Sequence, residues 1–350
     1  MFYISRPEET IVDKIKSGNT PIHPSIRPHL NDSLENWKKT FGTGNKNLMI
    51  NGDFQVWQRR GQGETFTPTS DSGYAADRWK IANGTVTYDS SLQAIKHVST
   101  GNDPYFLYAI EDYGNEWTGK DFCFSFYVKC NDDQGVNELQ YVTIGNVSYY
   151  HRQPMNDGDT KHLFEIPSDI PGFTRYFCTG NFNSAHTNYH RIVIELRPGL
   201  GNVTYLKDVQ MEFGKFPSPF MRRSYGEELA LCQRYLVSYE PRSNFTSPVS
   251  FAHFGNGTFR TTTFAYMGIH LPVAMRHGVS PTIELGGAGL YTDGWFGGGV
   301  HNITSIVFQG IIHNIVTLQC FATIPSGSIY RPTSFGVSPG QHLRIRAEIV

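Results

Sequence analysis

The sequence contains few charged residues. Asp, Glu, Lys and Arg make up 17% of the 350 residues, and the formal net charge is −1. A balance so close to zero gives no electrostatic reason to bind nucleic acid or an anionic membrane surface, so we expect neither partner and no membrane insertion. The chain also lacks an uninterrupted apolar run of about 18 residues, the length that spans a bilayer. Its most apolar stretch, residues 303–324, is broken by polar residues and predicts two strands.

Cysteine is scarce as well. Five cysteines are scattered over the chain, and their odd number and wide spacing argue against a disulfide framework. The N-terminus shows no basic region followed by an apolar one, so it is unlike a secretory signal. We therefore predict a protein that folds in the cytosol with reduced, mostly buried thiols at Cys123, Cys130, Cys178, Cys232 and Cys320.

Motifs that carry well-known chemistry are missing too. We find no phosphate-binding loop, dinucleotide fingerprint, H-E-x-x-H motif or paired C-x-x-C. Residues 336–340 match the G-x-S-x-G pattern of a nucleophile elbow, but that elbow needs a helix after it, and an alternating strand pattern follows here. These residues predict a turn. We assign no catalytic residue and expect a protein that is not an enzyme.

Glycine and aromatic residues, in contrast, are abundant, with 35 Gly, 24 Phe and 19 Tyr. Aromatic and β-branched runs are separated by clusters of Gly, Asn and Asp, which predicts strands at residues 122–128, 140–144, 190–196 and 203–209. Short strands joined by polar turns are typical of sandwiches and jelly rolls. The sequence therefore predicts an all-β fold.

Two β domains are predicted on either side of one helix. Ser224 and Glu227 have the spacing of a capping box, and apolar residues recur after them at helical intervals. We expect a jelly-roll domain over 47–223, a linker helix over 224–240 and a second β-sandwich over 241–350.

Residues 1–46 differ in composition from the rest of the chain. Three prolines between residues 21 and 28 predict an extended stretch. A short helix with an apolar stripe is predicted after it. The stripe suits either subunit packing and anchoring or a helix that lies on its own domain, and it consists of Leu30, Leu34, Trp37 and Phe41.

A glycine-dense stretch carries residue types that bind sugars. Seven glycines occur within residues 286–299, where aromatic side chains are hard to bury completely. Sugar rings stack on aromatic faces, and carboxylates accept hydrogen bonds from hydroxyl groups. We therefore predict a glycan-binding site at Tyr291, Asp293, Trp295 and Phe296. Residues 149–151, Tyr-Tyr-His, are a second candidate, although half-buried strand aromatics explain them at least as well.

Several strings occur in an order and spacing that resemble one family. They are NLMINGDFQVWQR from residue 47, YAADRW from 74, VQMEFG from 209, SPF from 218, EELALCQRY from 227, LPVAMR from 271 and PT from 281. Together they resemble bacteriophage tail or head fibre proteins, which are receptor-binding appendages. In that family a jelly roll similar to carbohydrate-binding modules precedes an "EELALCQRY" helix and a C-terminal β domain. The resemblance covers about residues 47–285.

The resemblance implies a structural virion subunit that is made in the host cytoplasm and assembles as a homotrimer. Residues 1–46 would attach it to a phage tail, collar or capsid protein. The C-terminal domain would trimerise and bind bacterial surface polysaccharide, with weak sites strengthened by avidity. Two alternatives stay open: a head fibre or decoration protein with a mainly structural role, and a hydrolase of surface polysaccharide.

One metal site follows from the same resemblance. Similar carbohydrate-binding modules hold a structural calcium ion with acidic oxygens, which here would come from Asp53 and Asp208. Plain turn and cap roles are the other interpretation of these aspartates, and no other cofactor is expected. The chain departs from the family after Phe220, where Met-Arg-Arg replaces a Glu-x-Arg run.

Overall fold

The computed structural model of the chain describes residues 47–68, 73–100, 103–110, 117–130, 139–150, 161–166, 168, 170–182, 191–196, 201–239, 252–276, 280–286, 289–292, 300–312, 314–323, 332–337 and 342–347. The predicted stripe at Leu30, Leu34, Trp37 and Phe41 lies outside the described residues.

The chain divides into two compact units. The first is built from Met1–Phe54, Gly63–Gly73 and Lys80–Arg222, and the second from Gln55–Gln62, Tyr74–Trp79 and Arg223–Val350. This division differs from the predicted domains of 47–223 and 241–350, because two short early segments and the helix belong to the second unit.

Antiparallel strands make up most of the first unit. They are β1 (Gly73–Tyr74), β2 (Trp79–Ala82), β3 (Gly84–Asp89), β4 (Ala94–Ser99), β5 (Tyr105–Ala109), β6 (Asp121–Cys130), β7 (Leu139–Ile144), β8 (Val147–Tyr150), β9 (Lys161–His162), β10 (Phe164–Ile166), β11 (Thr174–Asn181), β12 (Arg191–Leu196) and β13 (Val203–Phe213).

These strands form a β-sandwich. One sheet has the order β10-β11-β6-β13-β4-β3 and the other β1-β2-β5-β12-β7-β8-β9, and among the described pairings only β8–β9 is parallel. Inward side chains of the two sheets meet in the core. His97 on β4 lies against Phe106 on β5, with ring centroids 5.5 Å apart. A side chain added at Gly180 on β11 would collide with Tyr149 on β8.

The first motif string is fastened to β13. The Asn47 side chain donates to the carbonyl oxygen of Val209 at 3.1 Å and accepts from the backbone N–H of Met211 at 3.2 Å. The backbone N–H of Val209 donates to the carbonyl of Gly52 at 2.8 Å. A side chain at Gly52 would collide with the Val209 carbonyl oxygen, so glycine is required there by the close approach.

The second unit contains one helix among the described residues and a second sandwich. The elements are α1 (Tyr225–Gln233), β14 (Leu236–Tyr239), β15 (Ala252–Phe259), β16 (Phe264–His270), β17 (Thr282–Leu285), β18 (Gly289–Thr292), β19 (Val300–Asn302), β20 (Ser305–Ile312), β21 (Ile315–Phe321), β22 (Pro332–Val337) and β23 (Leu343–Arg346).

The strands of this unit form two sheets with one shared core. A three-stranded sheet has the order β14-β23-β17, and a seven-stranded sheet has the order β19-β18-β22-β15-β16-β21-β20. Buried side chains from both sheets pack together, including Val237 and Ile345 from the first and Met267 and Leu318 from the second. The structure thus confirms the predicted all-β fold with two β-sandwich units.

The helix is shorter than the predicted span of 224–240. Its capping box is confirmed, because the backbone N–H of Ser224 donates to Glu227 at 2.9 Å and the Ser224 hydroxyl accepts from the Glu227 N–H. The helix ends at Gln233, and the next residues form β14 because their backbone groups pair with β23. No helix among the described residues has the length and apolarity that a membrane crossing requires.

Most strand and cysteine predictions are confirmed. The predicted runs at 122–128, 140–144, 190–196 and 203–209 coincide with β6, β7, β12 and β13, and the stretch 303–324 forms β20 and β21. All five cysteines are free thiols, and four of them are buried. Burial raises the pKa of Cys320 to about 12, so this thiol remains protonated and unreactive at neutral pH.

The buried His97 predicts how the stability of the first unit depends on pH. Burial lowers the pKa of His97 from 6.5 to about 4, and the ring bonds to the carbonyl of Ala82. The unfolded chain therefore binds an extra proton below pH 6.5. We expect acidification from pH 7 to pH 4 to cost about 3 kcal/mol of unfolding free energy through this residue.

Urea unfolding at the two pH values measures this effect. The neutral variant His97→Gln should lose less stability between pH 7 and pH 4 than the natural protein by that amount. An unchanged pH dependence in His97→Gln would contradict the assignment.

Candidate functional site

One row of polar aromatic residues crosses the outer face of the seven-stranded sheet in the first unit. In the register of the sheet, Glu195 on β12 lies opposite Tyr105 on β5 and Tyr141 on β7. Tyr141 lies opposite Tyr150 on β8, which lies opposite His162 on β9. We call these five residues the tyrosine row.

Strand alternation places the row on the surface. Where the structure describes the residues that flank its members along the strands, they are buried, for example Phe106 on β5, Val142 on β7 and Ile194 on β12. The five members of the row are all partly exposed. Because neighbouring residues of a strand point to opposite faces, the row lies on the face that turns away from the core.

Tyr141 is the centre of the row. Its ring lies 5.3 Å from that of Tyr150 between centroids, at 47°. Its hydroxyl donates a hydrogen bond to Glu195. Partial burial raises the pKa of Tyr141, and the hydrogen bond to Glu195 and the negative charges of Glu195 and Asp103 raise it further. The phenol is therefore held as a neutral donor at any physiological pH.

The next row on the same face is smaller and less polar. Val193 lies opposite Leu107 and Thr143, and Thr143 lies opposite Ser148. The hydroxyl oxygens of Thr143 and Ser148 are 3.0 Å apart. On this side of the tyrosine row, the larger rings therefore stand above shorter side chains.

The dimensions of the row suit an extended ligand. Its members occupy five adjacent strands, which are spaced by about 4.8 Å, so the row is about 19 Å long. It offers phenol rings for stacking, hydroxyl and imidazole groups that donate and accept, and one carboxylate that only accepts. Such a surface can bind a chain of sugar rings laid across the strands.

The glycan-binding residues predicted from the sequence fall largely elsewhere. Asp293, Trp295 and Phe296 lie outside the described residues. The backbone of Tyr291 is part of β18, where it pairs with Ser334 on β22. In the second predicted candidate, Tyr149 is buried in the core of the first unit, whereas Tyr150 belongs to the tyrosine row.

Sequence reasoning missed Tyr105, Tyr141, Glu195 and His162. The alternation within residues 140–144 and 190–196 gave a usable signal, because it placed Tyr141 and Glu195 opposite the apolar residues of their own strands. The sequence did not reveal that β12 lies between β5 and β7. Only that strand order brings the aromatic side chains into one row.

The two aspartates of the predicted calcium site do come together, with an arginine. Arg222 lies 3.1 Å from the carboxylate of Asp208 and 3.9 Å from that of Asp53. Both aspartates are buried, at 4% and 6% exposure. Burial raises the pKa of Asp208, and the positive charge of Arg222 opposes this shift. Asp208 occupies a bulge of β13 with a positive φ of 49°, a conformation that Asp tolerates better than most residues.

This arrangement does not fit a calcium site. Calcium takes six to eight oxygen ligands, whereas the guanidinium of Arg222 already lies beside both carboxylates and would repel a divalent cation. Among the residues that the structure describes, no group of three or more His, Cys, Asp or Glu side chains could hold a metal ion. Asp53 and Asp208 therefore act as partners of a structural ion pair.

Arg222 and Arg223, which follow Met221, both form ion pairs. Arg222 serves the two aspartates, and Arg223 lies 3.1 Å from the buried carboxylate of Glu228 on α1. The basic pair thus supplies one counter-ion within the first unit and another within the second.

Removal of Arg222 should destabilise the first unit. Arg222→Ala would leave Asp53 and Asp208 buried without their counter-ion, and the two carboxylates would repel each other. Because the arginine side chain is 45% exposed and partly screened, we expect a loss of about 1–2 kcal/mol in unfolding free energy. Urea unfolding measures it, and Arg222→Lys, which keeps the charge, should recover part of the loss.

Thermal unfolding with and without calcium tests the metal directly. We expect the natural protein to melt at the same temperature in millimolar calcium chloride and in a chelator. A rise in melting temperature that Asp53→Asn or Asp208→Asn abolishes would restore the calcium interpretation.

Comparison with known proteins completes the description. No protein-family model and no curated protein matches the chain. Similar solved structures include a Bacteroides thetaiotaomicron protein described as sugar binding, with 12% identity, 48% of this chain and 100% of that chain covered, and a TM-score of 0.27. The CBM22-1-CBM22-2 tandem of Paenibacillus barcinonensis Xyn10C is 11% identical, with 83% of this chain and 99% of that chain covered and a TM-score of 0.27. The agarase AgWH50C is 9% identical, with 75% of this chain and 48% of that chain covered and a TM-score of 0.26. At these TM-scores the similarities carry no functional argument.

Proposed function

We propose that this protein is a non-catalytic subunit of a bacteriophage virion fibre, and that it binds bacterial surface glycan through the tyrosine row. The observation that carries the glycan proposal is the alignment of Tyr105, Glu195, Tyr141, Tyr150 and His162 across five adjacent strands.

The chemistry of the row fits a neutral sugar chain. Pyranose rings present C–H groups that pack on phenol faces, and their hydroxyls donate to Glu195 and bond with His162 and the tyrosine hydroxyls. Glu195 and Asp103 add negative charge around Tyr141. An acidic polysaccharide would be repelled there, so we propose an uncharged or amino-sugar ligand.

The fibre proposal rests on the sequence resemblance. It is supported by contacts between the sequence strings that carry the resemblance. In the second unit, Gln58 donates to Asp77 at 2.6 Å and to the carbonyl of Leu236 at 2.8 Å. The guanidinium of Arg78 lies 3.6 Å from the ring centroid of Tyr235. Residues of three separate strings, which begin at residues 47, 74 and 227, therefore contact one another within the second unit. Fixed contacts of this kind suit a rigid appendage. As proposed, the subunit is a homotrimer fixed to tail, collar or capsid through residues 1–46.

A hydrolase of surface polysaccharide is the second candidate. One observation favours it: the negative charges of two carboxylates, Glu195 and Asp103, both raise the pKa of Tyr141. Glycoside hydrolysis uses a pair of carboxyl groups across the scissile bond. Incubation of the protein with host polysaccharide and a reducing-end assay would detect this activity, and Glu195→Gln should abolish it.

Substitutions in the row should weaken glycan binding. We expect Tyr141→Ala and Tyr150→Ala each to reduce the affinity for host surface polysaccharide about tenfold, because each removes one stacking ring. Isothermal titration with purified polysaccharide measures the affinity. The full chain is used, because a fragment of residues 241–350 would contain none of the strands that carry the row.

Tyr225→Ala is the matched control, since Tyr225 is 54% exposed but lies on α1. It should bind like the natural protein. Trp295→Ala tests the loop predicted from the sequence in the same assay. Loss of binding in Trp295→Ala with full binding in Tyr141→Ala would move the site from the row to that loop.

Purified virions test the fibre proposal independently of sugar binding. We expect the protein among the virion proteins by mass spectrometry, and antibody labelling should place it on a tail or capsid appendage. Labelling on the capsid shell would favour the head fibre or decoration alternative. Absence from virions at a stage when the protein is abundant in infected cells would overturn the proposal.

A further inference from the structure

A second surface, in the second unit, carries no charged residue. The neighbouring strands β16, β21 and β20 contain no Asp, Glu, Lys or Arg in any of their positions. Protein surfaces usually carry charge on about a quarter to a third of their residues. Three adjacent surface strands without any such side chain are therefore unusual.

The outward side of these strands is partly apolar. On β16 the buried residues Ala265, Met267 and Ile269 face the core, so Phe264 and Tyr266 face outward. The register extends this outward face over β21 and β20. We call it the neutral face; its members on the three strands are Phe264, Tyr266, Gly268, His270, Ser305, Val307, Gln309, Gly310, Ile312, Ile315, Thr317, Gln319 and Phe321.

Exposed aliphatic residues are concentrated on this face. Among the described residues, five large hydrophobic side chains are exposed, and three belong to the neutral face: Val307 at 45%, Ile312 at 69% and Ile315 at 36%. Ile312 and Ile315 lie opposite each other at the end of the β20–β21 hairpin. A cluster of this kind marks an interaction surface.

The chemistry of the face favours a second copy of the same chain as its partner. A face without Asp, Glu, Lys or Arg can meet the same face of two further copies around a three-fold axis with neither repulsion nor buried unpaired charge. Gln309 donates to Gln319 at 3.0 Å, and amide groups that both donate and accept can also pair with the same groups of a copy.

A glycan is a poorer occupant. The Phe264 ring is inclined at 76° to that of Tyr266 and at 52° to that of Phe321, so the rings form no common plane on which sugars could stack. The most exposed residues are aliphatic and offer no hydrogen bonds to hydroxyl groups.

We infer that the neutral face is the contact surface between copies of this chain in the homotrimer. The inference rests on the homotrimer of the proposed function and adds the surface that forms it. Each copy contributes Val307 and Ile312, which become buried on assembly.

Charge introduced on the face tests the inference in the full-length protein. We expect sedimentation equilibrium to give a trimer for the natural chain. Val307→Lys and Ile312→Lys should each weaken association at least about tenfold, because an unpaired ammonium group would be buried, and the double variant should be a monomer. Circular dichroism should show the natural fold in all variants, since both positions are exposed in the single chain.

Met221→Lys and Tyr225→Lys are the matched controls, because these hydrophobic residues are exposed at 43% and 54% outside the neutral face. Both should remain trimers.

A natural trimer that the double variant preserves would overturn the surface and leave the fibre proposal intact. Preserved trimers that lose host-cell binding would instead assign a glycan to the face. A monomeric natural chain at micromolar concentration would overturn both the surface and the homotrimer, while the virion and titration experiments still judge the rest.

Discussion

Successive side chains of a strand point to opposite faces of its sheet, and this alternation divides every sheet here between a core and a surface. On β7 it buries Val142 and leaves Tyr141 partly exposed, and on β16 it buries Met267 and leaves Tyr266 partly exposed. A slip of one residue in pairing would exchange the two sets. The tyrosine row and the neutral face therefore depend on the same registers that assemble the cores, so each surface is as rigid as the sandwich beneath it.

The sequence was sufficient for what is local. Alternating runs predicted β6, β7, β12 and β13, and the spacing of Ser224 and Glu227 predicted the helix start. The sequence was insufficient where pairing with a strand remote in sequence determines the structure. The helix stops early because β23, more than a hundred residues later, pairs with the residues that follow it. The tyrosine row was missed for a similar reason, because strands remote in sequence supply its members.

Electrostatics explains the fate of the calcium prediction. The sequence correctly placed Asp53 and Asp208 near each other, but it could not show which cation lies beside them. Arg222 does so at 3.1 Å and 3.9 Å. A protein cation needs no uptake from the medium, so this ion pair forms without a bound metal, although salt screens the half-exposed arginine.

The second unit is assembled from three stretches of chain, two of which are eight and six residues long and precede most of the first unit. Gene exchange that transfers one continuous block of DNA cannot move such a unit without the chain between its stretches. A block that encodes only the C-terminal part would import β15 to β23 without the matching Gln58 and Asp77, which support β14 through Leu236. Viable recombinants should therefore carry crossovers upstream of both short stretches, and the two sandwiches should be inherited together.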